Sequence, residues 1–197
     1  MVIMIDNGHG RETAGKRSPN GKLREWQWCR EIALRVVKEL KAKGYDARLT
    51  TPEDNDVLLR ERCRRINAVC NTFGAGNVVS VSIHINAAGG DGRWHQAKGW
   101  SVFVSGNASS KSRRLARLLY DEADLRNLKG DRSVPRERYW IKNLAMCRDT
   151  KCPAVLTENL FMDNEDDCLY LLSDEGKDEI INLHVQGIIA YIKEMKK

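Results

Sequence analysis

The sequence predicts a three-layer α/β domain, and three observations carry that prediction. Short, nearly continuous apolar runs alternate along the chain with longer segments whose apolar residues recur every three or four positions. The runs lack the polar alternation of half-exposed strands and read as strands buried on both faces. No internal repeat, low-complexity tract or linker interrupts the 197 residues, so residues 1–197 read as one domain.

Val2 to Ile5 is the first strand, apolar throughout and followed at once by Asp6-Asn7-Gly8-His9-Gly10. A loop rich in Gly, Ser, Pro and Asn runs from Gly8 to Lys22. Ile32, Val36 and Leu40 recur every four residues and mark a helix from about Trp26 to Lys43, with Gly44 as its stop. Asp46 to Thr50 makes a second strand. Leu59, Cys63, Ile66, Cys70 and Phe73 alternate spacings of four and three, so Asp56 to Phe73 is a second helix. Asn77 to Ile85 has the apolar density of a central strand, and Gly99 to Val104 is a fourth. Ser112 to Leu125 is a helix and Pro153 to Thr157 a fifth strand. The closing helix runs from Ser173, its N-cap, to Met195, with Ile181, Val185, Ile188, Ile192 and Met195 as its buried stripe.

Composition narrows the classes. No run approaches the roughly 18 to 20 apolar residues of a membrane-spanning helix, so no membrane association is expected. Met1 leads straight into the first strand without a basic region or cleavage site, so the chain is expected to be synthesised in the cytoplasm without a signal peptide. A net charge of +6 admits an anionic partner, but charges of both signs are interspersed. The basic stretch from Lys111 to Arg138 reads as a solvated face, and no nucleic-acid partner is expected. The six cysteines form no C-x-x-C pair, which excludes a zinc ribbon and leaves reduced, buried thiols as the expectation. A monomer is expected.

Two of the four histidines stand where α/β enzymes build sites, just outside the carboxyl ends of strands. His9 follows the first strand between two glycines, and His84 ends the central strand in Ser82-Ile83-His84-Ile85-Asn86. If the two strands are parallel neighbours, both imidazoles emerge at one edge. Catalytic zinc sites use three protein ligands and keep one open position, so two histidines call for a third donor. Glu25, at the start of the first helix, is favoured over Glu12 and Glu31. Ala154-Val155-Leu156-Thr157-Glu158 brings a carboxylate to another strand end, where it can take a proton from water and deliver it to a leaving amine. His95 reads as a surface residue and His184 as a packed one. Trp26, Trp28, Trp94 and Trp100 flank the candidate site and read first as core.

These motifs, in this order, resemble the zinc-dependent N-acetylmuramoyl-L-alanine amidases of the amidase-3 type. The resemblance runs from about Val2 to Tyr191 and includes Leu59-x-x-Arg62, Gly99-Trp100-Ser101-Val102-Phe103 and the segment from Asn164 to Leu172. It implies a phosphorylase/hydrolase-like fold with a mixed twisted sheet flanked by helices. It implies hydrolysis of the amide between N-acetylmuramic acid and L-alanine in peptidoglycan, by a zinc-activated water. One zinc ion per chain would be held by His9, Glu25 and His84, with Glu158 as general base and acid. Asn86 would shape the site and Arg132 would face substrate. The chain departs from the family pattern at Asn7, where proline or alanine is commoner, and at Arg11, where a second glycine is usual. It departs again at Leu160, which replaces the glycine of Glu-x-Gly-Phe.

A lone catalytic domain of this type resembles a phage or prophage endolysin, which acts on the cell wall only after release; a trimmed autolysin reads the same way. Two other readings stay open on the residues alone. One is a zinc peptidase or carboxypeptidase acting on another amide, and the other is a non-catalytic module that binds wall or another anion.

Overall fold

The computed structural model describes residues 1–130 and 133–196. Its strands are β1 (Val2–Asn7), β2 (Asp46–Leu49), β3 (Val78–Asn86), β4 (Ser101–Val104), β5 (Trp140–Ile141) and β6 (Ala154–Phe161). Its helices are α1 (Glu25–Ala42), α2 (Leu59–Phe73), α3 (Ser110–Leu125), α4 (Ala145–Arg148), α5 (Glu165–Leu172) and α6 (Asp174–Met195). The strands form one sheet in the order β2-β1-β3-β6-β4-β5. Pairing is parallel from β2 through β6, antiparallel between β6 and β4, and parallel again between β4 and β5. The sheet is therefore mixed.

Strand alternation sorts the apolar side chains into two unequal layers. Ile3 and Ile5 of β1 and Val79, Val81, Ile83 and Ile85 of β3 meet the stripes of α1, α3, α5 and α6. The opposite residues, Val2, Met4 and Val78, meet Cys63, Ile66 and Cys70 of α2 and Met146 of α4. Every stripe residue predicted for α1 is fully buried. In α2 the middle of the stripe is buried, whereas Leu59 and Phe73 at its ends are exposed. All six cysteines are buried and unpaired.

Helix ends follow local chemistry. The Ser173 hydroxyl caps α6 by accepting from the Gly176 N–H at 3.0 Å. Gly44 ends α1 at a φ of 83°. The second helix starts at Leu59 rather than Asp56, because the preceding backbone is used elsewhere. The Asp56 N–H donates to Glu12 Oε2 at 2.9 Å, and the Val57 carbonyl accepts from Arg62 Nε at 2.8 Å. The short elements β5, α4 and α5 carry too few residues for a period to register. For α5 the cap is its signature: Asn164 Oδ1 accepts from the Asp167 N–H at 3.1 Å, ahead of three acids in the first turn.

The fifth predicted strand continues past Thr157 to Phe161, so Glu158 lies within β6 rather than at its end. A bulge makes this possible. The β3–β6 register slips between His84, paired with Glu158, and Asn86, paired with Phe161. The extra residue includes Leu160 at a φ of 62°, the left-handed region where glycine is unstrained. Asp167 clamps the bulge by accepting from the Phe161 and Gly99 N–H groups at 3.0 and 3.1 Å. Leu160 keeps the turn that a glycine would make because its side chain is buried in the main core. Left-handed strain costs about 1–2 kcal/mol, whereas emptying a buried leucine site costs roughly 2–5 kcal/mol. Both Leu160→Gly and Leu160→Ala are therefore expected to lower the denaturant midpoint. Glycine should be the milder of the two, because it alone relieves the strain; the reverse order would remove the bulge as the cause.

His184 is packed as predicted, with Nδ1 2.8 Å from the Ile180 carbonyl and Nε2 2.9 Å from Thr157 Oγ1. Burial pushes its pKa down from 6.5 to about 4, more than the Ile180 carbonyl restores. A depressed folded-state value stabilises the protein fully above pH 6.5, and that contribution is lost as the pH falls toward 4. The loss is at most roughly 3 kcal/mol. Denaturation of a His184→Gln variant should depend less steeply on pH across this window than that of the wild type, and equal slopes would exclude the assignment.

Candidate active site

Three neighbouring parallel strands end at one level. Asn7 of β1 pairs with Ile83 of β3, and His84 of β3 pairs with Glu158 of β6. The Gly8 N–H donates to the Ile83 carbonyl at 2.9 Å, which extends the ladder and delivers His9 beside His84. In-register residues project from the same face of a sheet, so His84 and Glu158 rise together. Ser101 of β4 is Glu158's register partner on the other side.

Glu25 arrives from outside the sheet. The loop after His9 closes through a bridge between Arg17 and Arg24, and the Glu25 N–H donates to the Lys16 carbonyl at 2.9 Å. This closure fixes the register of the loop and seats the first residue of α1 over the strand ends. The Glu25 carboxylate is then enclosed, with 1% of its side chain exposed. Its Oε1 accepts from the Ile85 N–H at 3.0 Å and lies 3.2 Å from His84 Nδ1. Its Oε2 lies 3.3 Å from His9 Nε2 yet receives no hydrogen bond. One donor atom from each of His9, Glu25 and His84 falls within 4.8 Å of the others. The imidazoles stand edge to face, with ring centroids 5.1 Å apart.

Two imidazole nitrogens and a buried carboxylate oxygen without a hydrogen-bond donor form a donor set that fits a three-ligand zinc site with an open position. The electrostatics follow from burial. Desolvation pushes the Glu25 carboxyl up, but the hydrogen bond with His84 and the close approach of the His84 and His9 imidazoles outweigh it and hold the group at about 2. Desolvation pushes the Glu158 carboxyl up to about 7; His84 opposes this shift and the Glu25 charge adds to it. The two carboxyls are thus driven in opposite directions, the pattern that separates a ligand from a proton carrier.

Buried arginines hold the His9 turn from beneath. His9 has a φ of 61°, and its carbonyl accepts from Arg62 Nη2 and from Arg30 Nη1, each at 3.1 Å. Arg62 also pairs with Asp6 at 3.2 Å, and Asp6 accepts from Ser82 Oγ at 2.6 Å. Arg62 belongs to the Leu59-x-x-Arg62 motif, but nothing in the periodicity of α1 singles out Arg30. Its signal is position alone, one turn after Trp26, whose ring lies 5.6 Å beneath the guanidinium. The departures from the family pattern are absorbed here too. Asn7 is buried, 2.9 Å from the Thr51 hydroxyl, and Arg11 pairs with Asp54 to tie the loop down.

The other expected residues divide. Asn86 ends β3, where its Oδ1 accepts from the Ala87 N–H at 2.9 Å and so shapes the turn beyond His84. Arg132 lies outside the described residues. Glu12 and Glu31 are engaged away from the cluster, with the Asp56 N–H and Lys177. His95 is a loop residue paired with Asp91 at 2.9 Å. Trp28 and Trp100 are core residues, whose indole N–H groups donate to the Leu171 carbonyl and Asn159 Oδ1. Trp26 and Trp94 retain exposed surface.

The fold and the donor set define the class: an α/β enzyme domain with a His–Glu–His cluster at the carboxyl edge of its sheet and a second carboxyl beside it. The family model for N-acetylmuramoyl-L-alanine amidase matches residues 3–190, and the chain belongs to this family of enzymes. It is 31% identical to an endolysin of Bacillus phage SPP1, over all of this chain and 68% of that protein. It is 28% identical to the N-acetylmuramoyl-L-alanine amidase CwlM of Bacillus licheniformis, over 95% of this chain and 67% of that one. The fold is that of the catalytic domain of the amidase CwlV from Bacillus (Paenibacillus) polymyxa, with a TM-score of 0.80, 24% identity and 98% of each chain covered.

Close packing of the turn against the imidazole has a direct consequence. A Cβ on Gly8 would stand 2.5 Å from His84 Nδ1. Gly8→Ala is therefore expected to displace the ring, lowering zinc affinity and activity at least about tenfold with a much smaller change in melting temperature. Unchanged metal affinity in this variant would show that Gly8 does not set the position of His84.

Proposed function

We propose that the chain hydrolyses the amide between the lactyl group of N-acetylmuramic acid and L-alanine in peptidoglycan, with one zinc ion held by His9, Glu25 and His84. The observation that carries this reading is the convergence of the three donor atoms within 4.8 Å, with Glu158 in register beside His84. When bound, zinc would polarise the scissile carbonyl and make a water acidic enough to react near neutral pH. The residues supply the rest. Glu25, anchored by the Ile85 N–H, keeps both imidazoles turned toward one point. Glu158, buried and held near neutrality, can exist in either protonation state. It takes the proton of the attacking water and returns it to the alanine nitrogen as the C–N bond breaks, leaving a free lactyl carboxylate and an intact stem peptide. The similarity to the SPP1 endolysin supports lysis of the cell wall after release from the cytoplasm as the setting.

The test combines metal content with release of stem peptide from defined muropeptides. Wild type and Glu158→Gln should each hold about one zinc per chain, and the variant should lose roughly 10²–10⁴-fold in kcat. His84→Ala should lose both zinc and activity. Absence of zinc from the wild type, or undiminished release by Glu158→Gln, would overturn the mechanism.

A further inference from the structure

A cleft of about 440 Å³ opens beside the site, and its walls are the chain segments that run to and from the site residues. Residues 14–19 belong to the loop joining His9 to Glu25. Residues 87–93 continue from β3 beyond His84, and residues 162–163 continue from β6 beyond Glu158. The backbone of Lys16 touches the site directly, through its carbonyl and the Glu25 N–H. The cleft therefore lies on the side of the site from which the segments beyond His9, His84 and Glu158 emerge, and shares the Lys16 backbone with it.

The charge of the cleft is one-sided. Lys16, Arg17 and Arg93 line it, and none of the three forms an ion pair among the described residues. Several arginines elsewhere are paired, as Arg62 is with Asp6, Arg65 with Glu53 and Arg138 with Asp121 and Asp124. The one acid in the cleft wall, Asp163, is already engaged: its carboxylate accepts from the N–H groups of Ala88 at 2.8 Å and Gly89 at 2.9 Å. Asp91, on the same loop, is paired with His95. Gly15, Gly90 and Gly92 add no side chains to the walls, and a Cβ at any of them would meet nothing within 4 Å. The result is a trough poor in anything that would neutralise its cations.

Substrate chemistry decides which part of the molecule fits. On the glycan side of the scissile amide, the lactyl carboxyl is consumed in the bond itself and the sugars are uncharged. On the other side, the stem peptide carries free carboxylates beyond its alanine. We infer that this cleft is the stem-peptide subsite, and that Lys16, Arg17 and Arg93 select peptides with a free carboxylate on the residue next to L-alanine. The inference rests on the amidase reading above and adds to it a charge-based specificity.

The test uses two synthetic muropeptides that differ only in whether the α-carboxylate of the glutamate after L-alanine is free or amidated. At low ionic strength the wild-type holoenzyme should prefer the free acid by about tenfold in kcat/KM, mostly through KM, and salt should erode the preference. Lys16→Gln/Arg17→Gln/Arg93→Gln should hydrolyse the free acid no better than the amide. A control that removes the same charge from exposed distal positions, Lys38→Gln/Lys43→Gln/Lys193→Gln, should keep the preference. Thermal melts of both variants establish that they fold. Equal hydrolysis of both substrates by the wild type, or a preference that survives in the cleft variant, overturns the inference while leaving the amidase reading intact. Hydrolysis of neither substrate by the zinc-loaded wild type sinks the amidase reading, and the inference with it. Cleft-dependent binding of a poly(glycerol phosphate) without discrimination between the muropeptides would assign the cations to an anionic wall polymer instead, and would also overturn it.

Discussion

Parallel pairing of β1, β3 and β6 is the constraint on which the rest of the structure depends. Strands joined in register bring their ends to one level, so residues some seventy-five positions apart in sequence stand as neighbours without any loop having to reach. Parallel strands require crossovers, and the helices that supply them cover both faces of the sheet. The same arrangement leaves the carboxyl edge uncovered. What the edge then needs is a group from outside the sheet, and the loop that closes through Arg17 and Arg24 brings Glu25 there.

A cluster of donors at a strand edge is costly to hold together, and the supports are visible. His9 and Leu160 both have positive φ, one at each flank of the site. Neither is held by its own preference. Two guanidinium groups grip the His9 carbonyl, whereas burial and the Asp167 carboxylate grip the bulge at Leu160. Buried arginines are affordable here because almost every N–H has a carbonyl or carboxylate to meet. At His9 and Leu160 strain and its supports fall within a few residues of the donor atoms, where small displacements would separate them.

Most of this was legible in the sequence. Apolar density identified the buried strands and four-residue spacing the long helices, because those elements owe their existence to a single repeated contact with the sheet. His9, His84 and Glu158 were legible for a related reason: each follows a run that could only be a buried strand. Glu25 was one of three candidate carboxylates, since a loop's course depends on closures such as Arg17 with Arg24 that have no periodic signal. Arg30 was invisible for another reason. It lies off the Ile32–Val36–Leu40 stripe, where an arginine is ordinary, and only its partners, backbone carbonyls of two distant loops, make it a buried residue. The bulge in β6 escaped because its residue is leucine, which signals core and hides the turn.

The distribution of charge makes the same point about reading composition. A net charge of +6 and a basic stretch from Lys111 to Arg138 suggest a positive face, yet three arginines of that stretch are neutralised within the fold. Arg114 pairs with Glu194, Arg126 with Glu122 and Glu179, and Arg138 with Asp121 and Asp124. These acids lie one or more helical turns away or on another helix, so the sequence presents the cations as a block while the fold disperses them. Among the cations without an ion pair, Lys16, Arg17 and Arg93 come from two loops far apart in sequence and never form a run. Net charge counts both kinds equally. Only the fold separates cations that stabilise the protein from cations that remain available to a ligand, and it gathers three of the latter beside the reacting edge.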